Sequence, residues 1–258
     1  MAVIKKFRIK SFKEKETLLQ LEKISMFYDK RRILNDISFK VNRSEILGLL
    51  GPNGVGKSTI FKIIMNIEQQ TNGKIFLNGT DCTNLPIHER SNKFNLSYCP
   101  QYGGYFYDLT VLENLTAVAE IHIKEKNLRI SKIDKIVGQF GFDSILHVKA
   151  KLVSGGERRK LAIAMAIIND PKILLLDEPY AALDILSIKM IQEIIINLQS
   201  MERMSIVVCD HNARDLLTCV DRAIVLSNGK IIVSGSPQEI INDAQARSVY
   251  FGDEFKIS

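Results

Sequence analysis

The run Glu45-Ile46-Leu47-Gly48-Leu49-Leu50-Gly51-Pro52-Asn53-Gly54-Val55-Gly56-Lys57-Ser58-Thr59 begins apolar, turns glycine-rich and ends in a lysine followed by two hydroxyls. Glu45 to Leu50 reads as a strand, and Ile60, Phe61, Ile63 and Ile64 fall at helical spacing within Lys57 to Asn66. Strand, loop and helix in that order is the setting in which G-x-x-x-x-G-K-[ST] becomes a phosphate-binding loop. Glycine lets backbone N–H groups turn inward around an anion, and the helix N-terminus behind them adds about half a positive charge. In such a loop Lys57 supplies charge to the β and γ phosphates of a nucleoside triphosphate, and the Ser58 hydroxyl coordinates Mg²⁺. Gly51, Pro52, Asn53, Gly54, Val55, Gly56, Lys57, Ser58 and Thr59 are therefore the first candidate site. A glycine turn with an exposed lysine is the plain alternative, and the flanking strand and helix argue against it.

Outward from this loop, Leu18 to Ile24 and Ile37 to Val41 read as strands, with Asp29 to Arg32 as a polar turn. Asn72-Gly73 and Asn78-Gly79 bracket the short apolar run Ile75 to Leu77, the turn chemistry of a small antiparallel element. Between about Gln101 and Ala150 the character becomes helical: Thr110-x-x-Glu113 is a capping box, and a second helix is predicted over Ser131 to Phe140. From Leu152 strands and helices alternate again, with Ile173 to Leu176 and Ser205 to Cys209 as buried strands and Asp184 to Leu198 as the helix between them. Ala223 to Leu226 and Lys230 to Val233, joined by Asn228-Gly229, predict a closing hairpin. The class is α/β.

With 46% hydrophobic and 25% charged residues in 258, the composition is that of a globular chain and excludes a disordered one. The longest apolar run, Leu161 to Ile168, is far shorter than the ~20 residues that cross a bilayer. Any membrane role is thus expected to come through a partner. Met1 to Phe12 lacks the features of a secretory signal, so the expected location is the cytoplasm. Cys82, Cys99, Cys209 and Cys219 are scattered without a C-x-x-C pair and predict neither a disulfide framework nor a zinc site. The excess positive charge gathers at the start, where Lys5, Lys6, Arg8, Lys10, Lys13 and Lys15 face only Glu14 and Glu16. Residues 1–17 read as a basic extension, either simply solvated or able to touch anionic lipid headgroups.

Ile173-Leu174-Leu175-Leu176-Asp177-Glu178-Pro179 is a buried strand that ends in two acids. Beside the phosphate loop on a parallel sheet, Asp177 would hold Mg²⁺ and Glu178 would orient and polarise the attacking water. Upstream, Leu152-Val153-Ser154-Gly155-Gly156-Glu157-Arg158-Arg159-Lys160 contains a capping box formed by Ser154 and Glu157 at the start of an apolar helix. Its N–H groups again point at a potential anion.

Ser154-Gly155-Gly156-Glu157 placed before Ile-Leu-Leu-Leu-Asp-Glu-Pro resembles the signature of ABC ATPases, and the resemblance extends over about residues 18 to 256. It implies a P-loop NTPase core, with a RecA-like parallel sheet and an antiparallel β subdomain, plus a helical subdomain over about 101–160 within a nucleotide-binding domain at 18–258. By the same resemblance Tyr28 would stack on adenine and Gln101 would sense Mg²⁺. Asp184, in Ala182-Leu183-Asp184, would link the two active sites, and His211 would be the switch near the γ phosphate. Ser154, Gly155 and Gly156 of one copy would close over ATP on a second copy, so that hydrolysis requires a head-to-tail homodimer with ATP and Mg²⁺ between its halves. Transmembrane permease subunits would be the further partners, with membrane contact through them on the cytoplasmic face of the inner membrane. The long heptads of nucleic-acid repair ATPases are absent, so no nucleic acid is expected.

Leu85-Pro86-Ile87-His88-Glu89-Arg90, Cys209-Asp210-His211-Asn212-Ala213-Arg214-Asp215 and Val249-Tyr250-Phe251-Gly252-Asp253-Glu254-Phe255 are similar to the lipopolysaccharide-export ATPase family. That resemblance implies a subunit powering lipopolysaccharide export, with Tyr105 and Phe106 lining the groove for the membrane partner. Ser44, Val153, Tyr107 and Asp108 depart from the family's pattern outside the hydrolytic set. A branched-chain amino acid importer subunit and a soluble ABC ATPase of iron–sulfur assembly are the alternative readings.

Overall fold

The computed structural model describes residues 16–251. The basic extension, apart from Glu16 and Thr17, and the ending Gly252-Asp253-Glu254-Phe255 lie outside the described residues. Along the chain, β1 (Thr17–Tyr28) and β2 (Arg31–Asn42) pair as an antiparallel hairpin, and β3 (Ile46–Leu50) runs into α1 (Lys57–Ile64). β4 (Asn72–Leu77) and β5 (Thr80–Asp81) then complete an antiparallel sheet in the order β2-β1-β4-β5. Next come α2 (Ile87–Phe94), β6 (Leu96–Cys99), and three helices, α3 (Val111–His122), α4 (Lys126–Phe140) and α5 (Gly155–Ala166). The chain continues through β7 (Ile173–Asp177), α6 (Ile185–Glu202), β8 (Ser205–Cys209), α7 (Ala213–Leu217), β9 (Arg222–Ser227), β10 (Lys230–Gly235) and α8 (Pro237–Asn242).

The second sheet has the order β10-β9-β3-β8-β7-β6, parallel throughout except for β10. Its central strands β3, β7 and β8 are buried at every residue, as parallel strands covered on both faces must be. Because side chains alternate along a strand, each contributes to two cores. Leu47, Leu49, Ile173, Leu175 and Val207 pack with the antiparallel sheet and α1. Ile46, Leu50, Leu174, Leu176, Ile206 and Val208 pack under α3 to α6. Burying one such side chain contributes about 1.5–3 kcal/mol, which fixes the register of each strand against a slip.

Asn72-Gly73, expected as a turn, is the start of β4: Asn72 pairs with Ser25, and Gly73 sits at φ +101 where the ladder with β1 is bulged. Asn78-Gly79 is a turn as expected, between β4 and β5. α4 starts at Lys126, five residues before the predicted Ser131, because its first two residues, Lys126 and Asn127, are polar and no side-chain cap marks the start. α2 and β6 have no counterpart in the sequence reading: one is a mostly polar helix, the other a four-residue edge strand. Both matter to the position of α1. Arg90 of α2 is fully buried and donates to the carbonyls of Ile63 and Ile64 at the C-terminal end of α1, and to those of Thr83 and Leu85. A cation on the exposed carbonyls of a helix C-terminus is the favourable arrangement for the helix dipole.

All four cysteines are unpaired and buried. Among the described residues no helix is long and apolar enough to cross a membrane.

Candidate active site

Four neighbouring parallel strands deliver the site, each from its carboxyl end. β3 delivers the glycine loop, β6 leads to Gln101, β7 ends in Asp177 and leads to Glu178, and β8 leads to Asp210 and His211. Ligands of open α/β sheets bind at that edge. Gly56 caps α1 at φ +107, and an added Cβ there would lie 2.5 Å from Leu34 Cδ2. With neither a capping side chain nor an acid in its first turn, α1 leaves its leading N–H groups directed at the cleft. Lys57 is buried and donates to the Gly51 carbonyl at 2.7 Å and the Pro52 carbonyl at 3.2 Å, which curls the loop around its ammonium. Tyr28, Arg31, Gly54, Gly56, Lys57, Ser58, Thr59 and Glu178 line one cleft. Tyr28 stands at the end of β1 on the cleft's rim, its hydroxyl donating to Glu68, which pairs with Lys62 at 2.9 Å.

Ser58 donates to Asp177 Oδ1 at 2.9 Å, so a hydroxyl and a buried carboxylate of widely separated segments meet beside the N-terminal end of α1. Hard oxygen donors of this kind suit Mg²⁺, which is held by one or two carboxylates together with substrate phosphates. Glu178 has the left-handed backbone angle φ +44, costly for a side chain with a Cβ, and is held there by its N–H on the Cys209 carbonyl at 2.8 Å. Its Oε2 accepts from Gln101 Nε2 at 2.7 Å and lies 3.3 Å from His211 Nδ1. Gln101 and His211 thus converge on one oxygen of Glu178.

Several supporting residues are not singled out by sequence. Arg159 of α5 donates to the carbonyls of Pro100 (2.9 Å), Gln101 (2.6 Å) and Glu178 (3.3 Å), tying α5 to the segments that carry Gln101 and Glu178. Tyr98 donates to Asp177 Oδ2 at 3.0 Å and Cys209 to Oδ1 at 2.8 Å. Burial first, and the Asp177 charge second, push both the phenol and the thiol well above their ordinary pKa values, so each is a proton donor. Asp210 is fully buried, its carboxyl pushed up by burial although it accepts from the N–H groups of Asn212 and Tyr180. Tyr250, whose phenol burial pushes up to about 12, donates to the His211 carbonyl at 2.6 Å and braces that loop. Isolated side chains of this kind carry no periodicity, so only their company in space identifies them.

The signature residues lie elsewhere on the molecule. Ser154 caps α5 through a complete capping box with Glu157, and Ser154 and Gly155 are exposed. Asp184 caps α6, accepting from the N–H groups of Leu186 and Ser187, both at 3.0 Å. The two caps are adjacent: a Cβ on Gly156 would lie 2.5 Å from Ser187 Oγ. None of Ser154, Gly155, Gly156 and Asp184 lines the cleft that holds Lys57. Leu152, Ile185 and Leu186 around them are more than two-thirds exposed. Along the loop after Gln101, Tyr105 packs on the helical core while Phe106 and Tyr107 are exposed. Buried Asn114 fastens this loop, accepting from the Phe106 N–H at 2.6 Å and donating to the Phe106 and Thr110 carbonyls. Asp108 pairs with Lys151 at 2.6 Å.

The family model described as ABC transporter matches residues 34–181, from β2 through the twin acids, and so includes every segment of the cleft except Tyr28, Arg31, Ile33 and the strand that brings His211. The chain belongs to the ABC transporter family. As an ABC ATPase it is the ATP-binding and ATP-hydrolysing type of subunit. The lipopolysaccharide export system ATP-binding protein LptB of Haemophilus influenzae is 39% identical over 93% of the chain and 100% of that protein. Its counterpart in Escherichia coli K12 is 35% identical over 93% of the chain and 99% of that protein. An ATP-binding cassette of an ABC transporter crystallised in its ADP conformation superposes with a TM-score of 0.81 at 24% identity, over 92% of this chain and 99% of that one. At that identity the likeness is one of fold, and the fold is that of the ABC cassettes.

Proposed function

We propose that this ABC ATPase powers lipopolysaccharide export, working as a homodimer beneath transmembrane permease subunits on the cytoplasmic face of the inner membrane. The observation that carries the reading is similarity across essentially the full length of LptB proteins, at 35–39% identity. That similarity runs through the loop and helices beyond Gln101 as well as through the nucleotide motifs.

ATP would lie with its phosphates on the uncapped end of α1 and Lys57, and its adenine against Tyr28. Ser58 and Asp177 would hold Mg²⁺, which when bound neutralises charge developing on the β and γ phosphate oxygens. Glu178 is aimed by Gln101 and His211 to accept a proton from the attacking water. Ser154, Gly155, Gly156 and Asp184, remote from their own cleft, would complete the cleft of a second copy. The exposed Phe106 and Tyr107, fastened from behind by Asn114, offer a surface to the membrane partner.

Affinity purification from detergent-solubilised membranes tests the assignment. Co-purifying membrane-spanning subunits, with ATP turnover that rises when lipopolysaccharide is added to the reconstituted complex, are expected. Recovery of soluble scaffold proteins alone, or a complex whose turnover answers to amino acids and not to lipopolysaccharide, would overturn it.

A further inference from the structure

Asp177 is 3% exposed, and both of its carboxylate oxygens are occupied. Oδ1 accepts from Ser58 (2.9 Å) and Cys209 (2.8 Å), and Oδ2 accepts from Tyr98 (3.0 Å). Only Ser58 belongs to the glycine-loop segment. The other two come from β6 and β8, the strands on either side of β7, and register explains why they meet there: Tyr98 is paired with Leu175, and Cys209 with Asp177 itself. With a period of two, Leu175 and Asp177 share one face of the sheet, so donors beside either position reach the same carboxylate.

Packing alone does not call for these donors. The Tyr98 ring meets the Phe61 ring of α1 edge-on at 6.2 Å, a contact phenylalanine would make equally well. Cys209 is wholly enclosed in an apolar cluster that valine or alanine could join. What the hydroxyl and the thiol add is orientation. Ser58 can give its proton to Asp177 and keep its lone pairs for a metal ion, but a single hydroxyl does not stop the carboxylate from rotating. Donors on both oxygens do, and outer partners of this kind commonly control how well a carboxylate serves a metal. Tyr98 also lies three residues before Gln101, so the segment that leaves β6 and reaches Glu178 is fixed to the carboxylate next to it.

We propose that Tyr98 and Cys209 are positioning residues that lock the Asp177 carboxylate in the orientation that receives Mg²⁺–ATP. The inference rests on the nucleotide reading of the cleft. Its test is binding of a fluorescent, non-hydrolysable ATP analogue to the full chain, titrated with MgCl₂ and repeated in EDTA. For Tyr98→Phe the magnesium concentration at half-effect is expected to rise about tenfold, with affinity in EDTA and the unfolding midpoint close to the parent's. Cys209→Ala is expected to shift it in the same direction, and Cys209→Ser, which keeps a donor, to restore parental behaviour. Unchanged magnesium dependence in both Tyr98→Phe and Cys209→Ala would overturn the inference. So would losses that appear equally in EDTA, since those would mark a merely structural role. Should Tyr98→Phe fail to fold, the contrast between Cys209→Ala and Cys209→Ser decides. A parent protein that binds the analogue but ignores magnesium would remove the metal site itself, whereas one that binds no nucleotide would remove the cleft's assignment first.

Discussion

Glu178 sits one residue beyond the buried end of β7 in a backbone conformation that favours glycine, and its carboxylate faces a glutamine and a histidine. Strain of this kind persists where the surroundings over-determine it and where a side chain must be aimed. Glu178→Gln is expected to keep ATP affinity while lowering turnover by about two orders of magnitude or more, as loss of a general base does. Equilibrium nucleotide binding and steady-state phosphate release, measured on the same preparation, check both halves. Lys57→Ala acts on the other quantity: its ammonium is buried between loop carbonyls and the cleft, so its loss is expected to weaken ATP binding by about tenfold or more. Calorimetry showing parental affinity would reject that role.

At the scale of elements, three helices, α3, α5 and α8, begin with the same device. Thr110 opens α3 and Ser154 opens α5, each with a full capping box closed by a glutamate three residues on. Removing either hydroxyl should cost about 1 kcal/mol of stability. Thr110→Ala and Ser154→Ala are therefore expected to lower the urea midpoint alike, but only Ser154→Ala to depress ATP turnover, because only α5 presents its exposed N-terminus next to the Asp184 cap. Equal effects on turnover would deny the signature its role. The boxes also carry a pH dependence. Glu113 and Glu157 are held below the usual carboxylate range, chiefly by the N–H groups of Thr110 and Ser154. Their folded values lie below the unfolded ones, so this support is present above the ordinary 4.5 and fades as pH falls through the lowered values. Stability measured against pH should lose that acid-side slope in part when both glutamates are changed to glutamine.

At the scale of the whole molecule, the motif residues divide between two separate surfaces. Lys57, Ser58 and Glu178 line one cleft, with Asp177 buried behind Ser58, while Ser154, Gly155, Gly156 and Asp184 gather outside it among the exposed Leu152, Ile185 and Leu186. Apolar side chains left in solvent beside functional caps suit a surface that is covered during turnover. Turnover per chain is accordingly expected to rise with protein concentration, and the Glu178→Gln protein to run as a dimer with ATP and as a monomer without it in size-exclusion chromatography. Leu186→Glu should leave nucleotide binding intact and abolish both the concentration dependence and the dimer. A rate per chain that is independent of concentration down to the nanomolar range would refute the two-copy reading.

Most of the strands, the glycine loop, the twin acids and the capping boxes of α3 and α5 were legible in the amino-acid order because each depends on neighbours within a few residues: a period of two, a period near 3.6, or a fixed local spacing. α2 and β6 were not, since a polar helix and a four-residue edge strand have too little pattern of their own and are held by Arg90 and by pairing with β7. Tyr98, Cys209 and Arg159 were silent for the same reason. Their partners lie 79, 32 and 58 residues away, and a lone phenol, thiol or guanidinium has no spacing to betray it. The order of residues decided which chemistry the chain carries; only the parallel register of β6, β7 and β8 decided which side chains stand against that chemistry, because register is set by burial on both faces of the sheet.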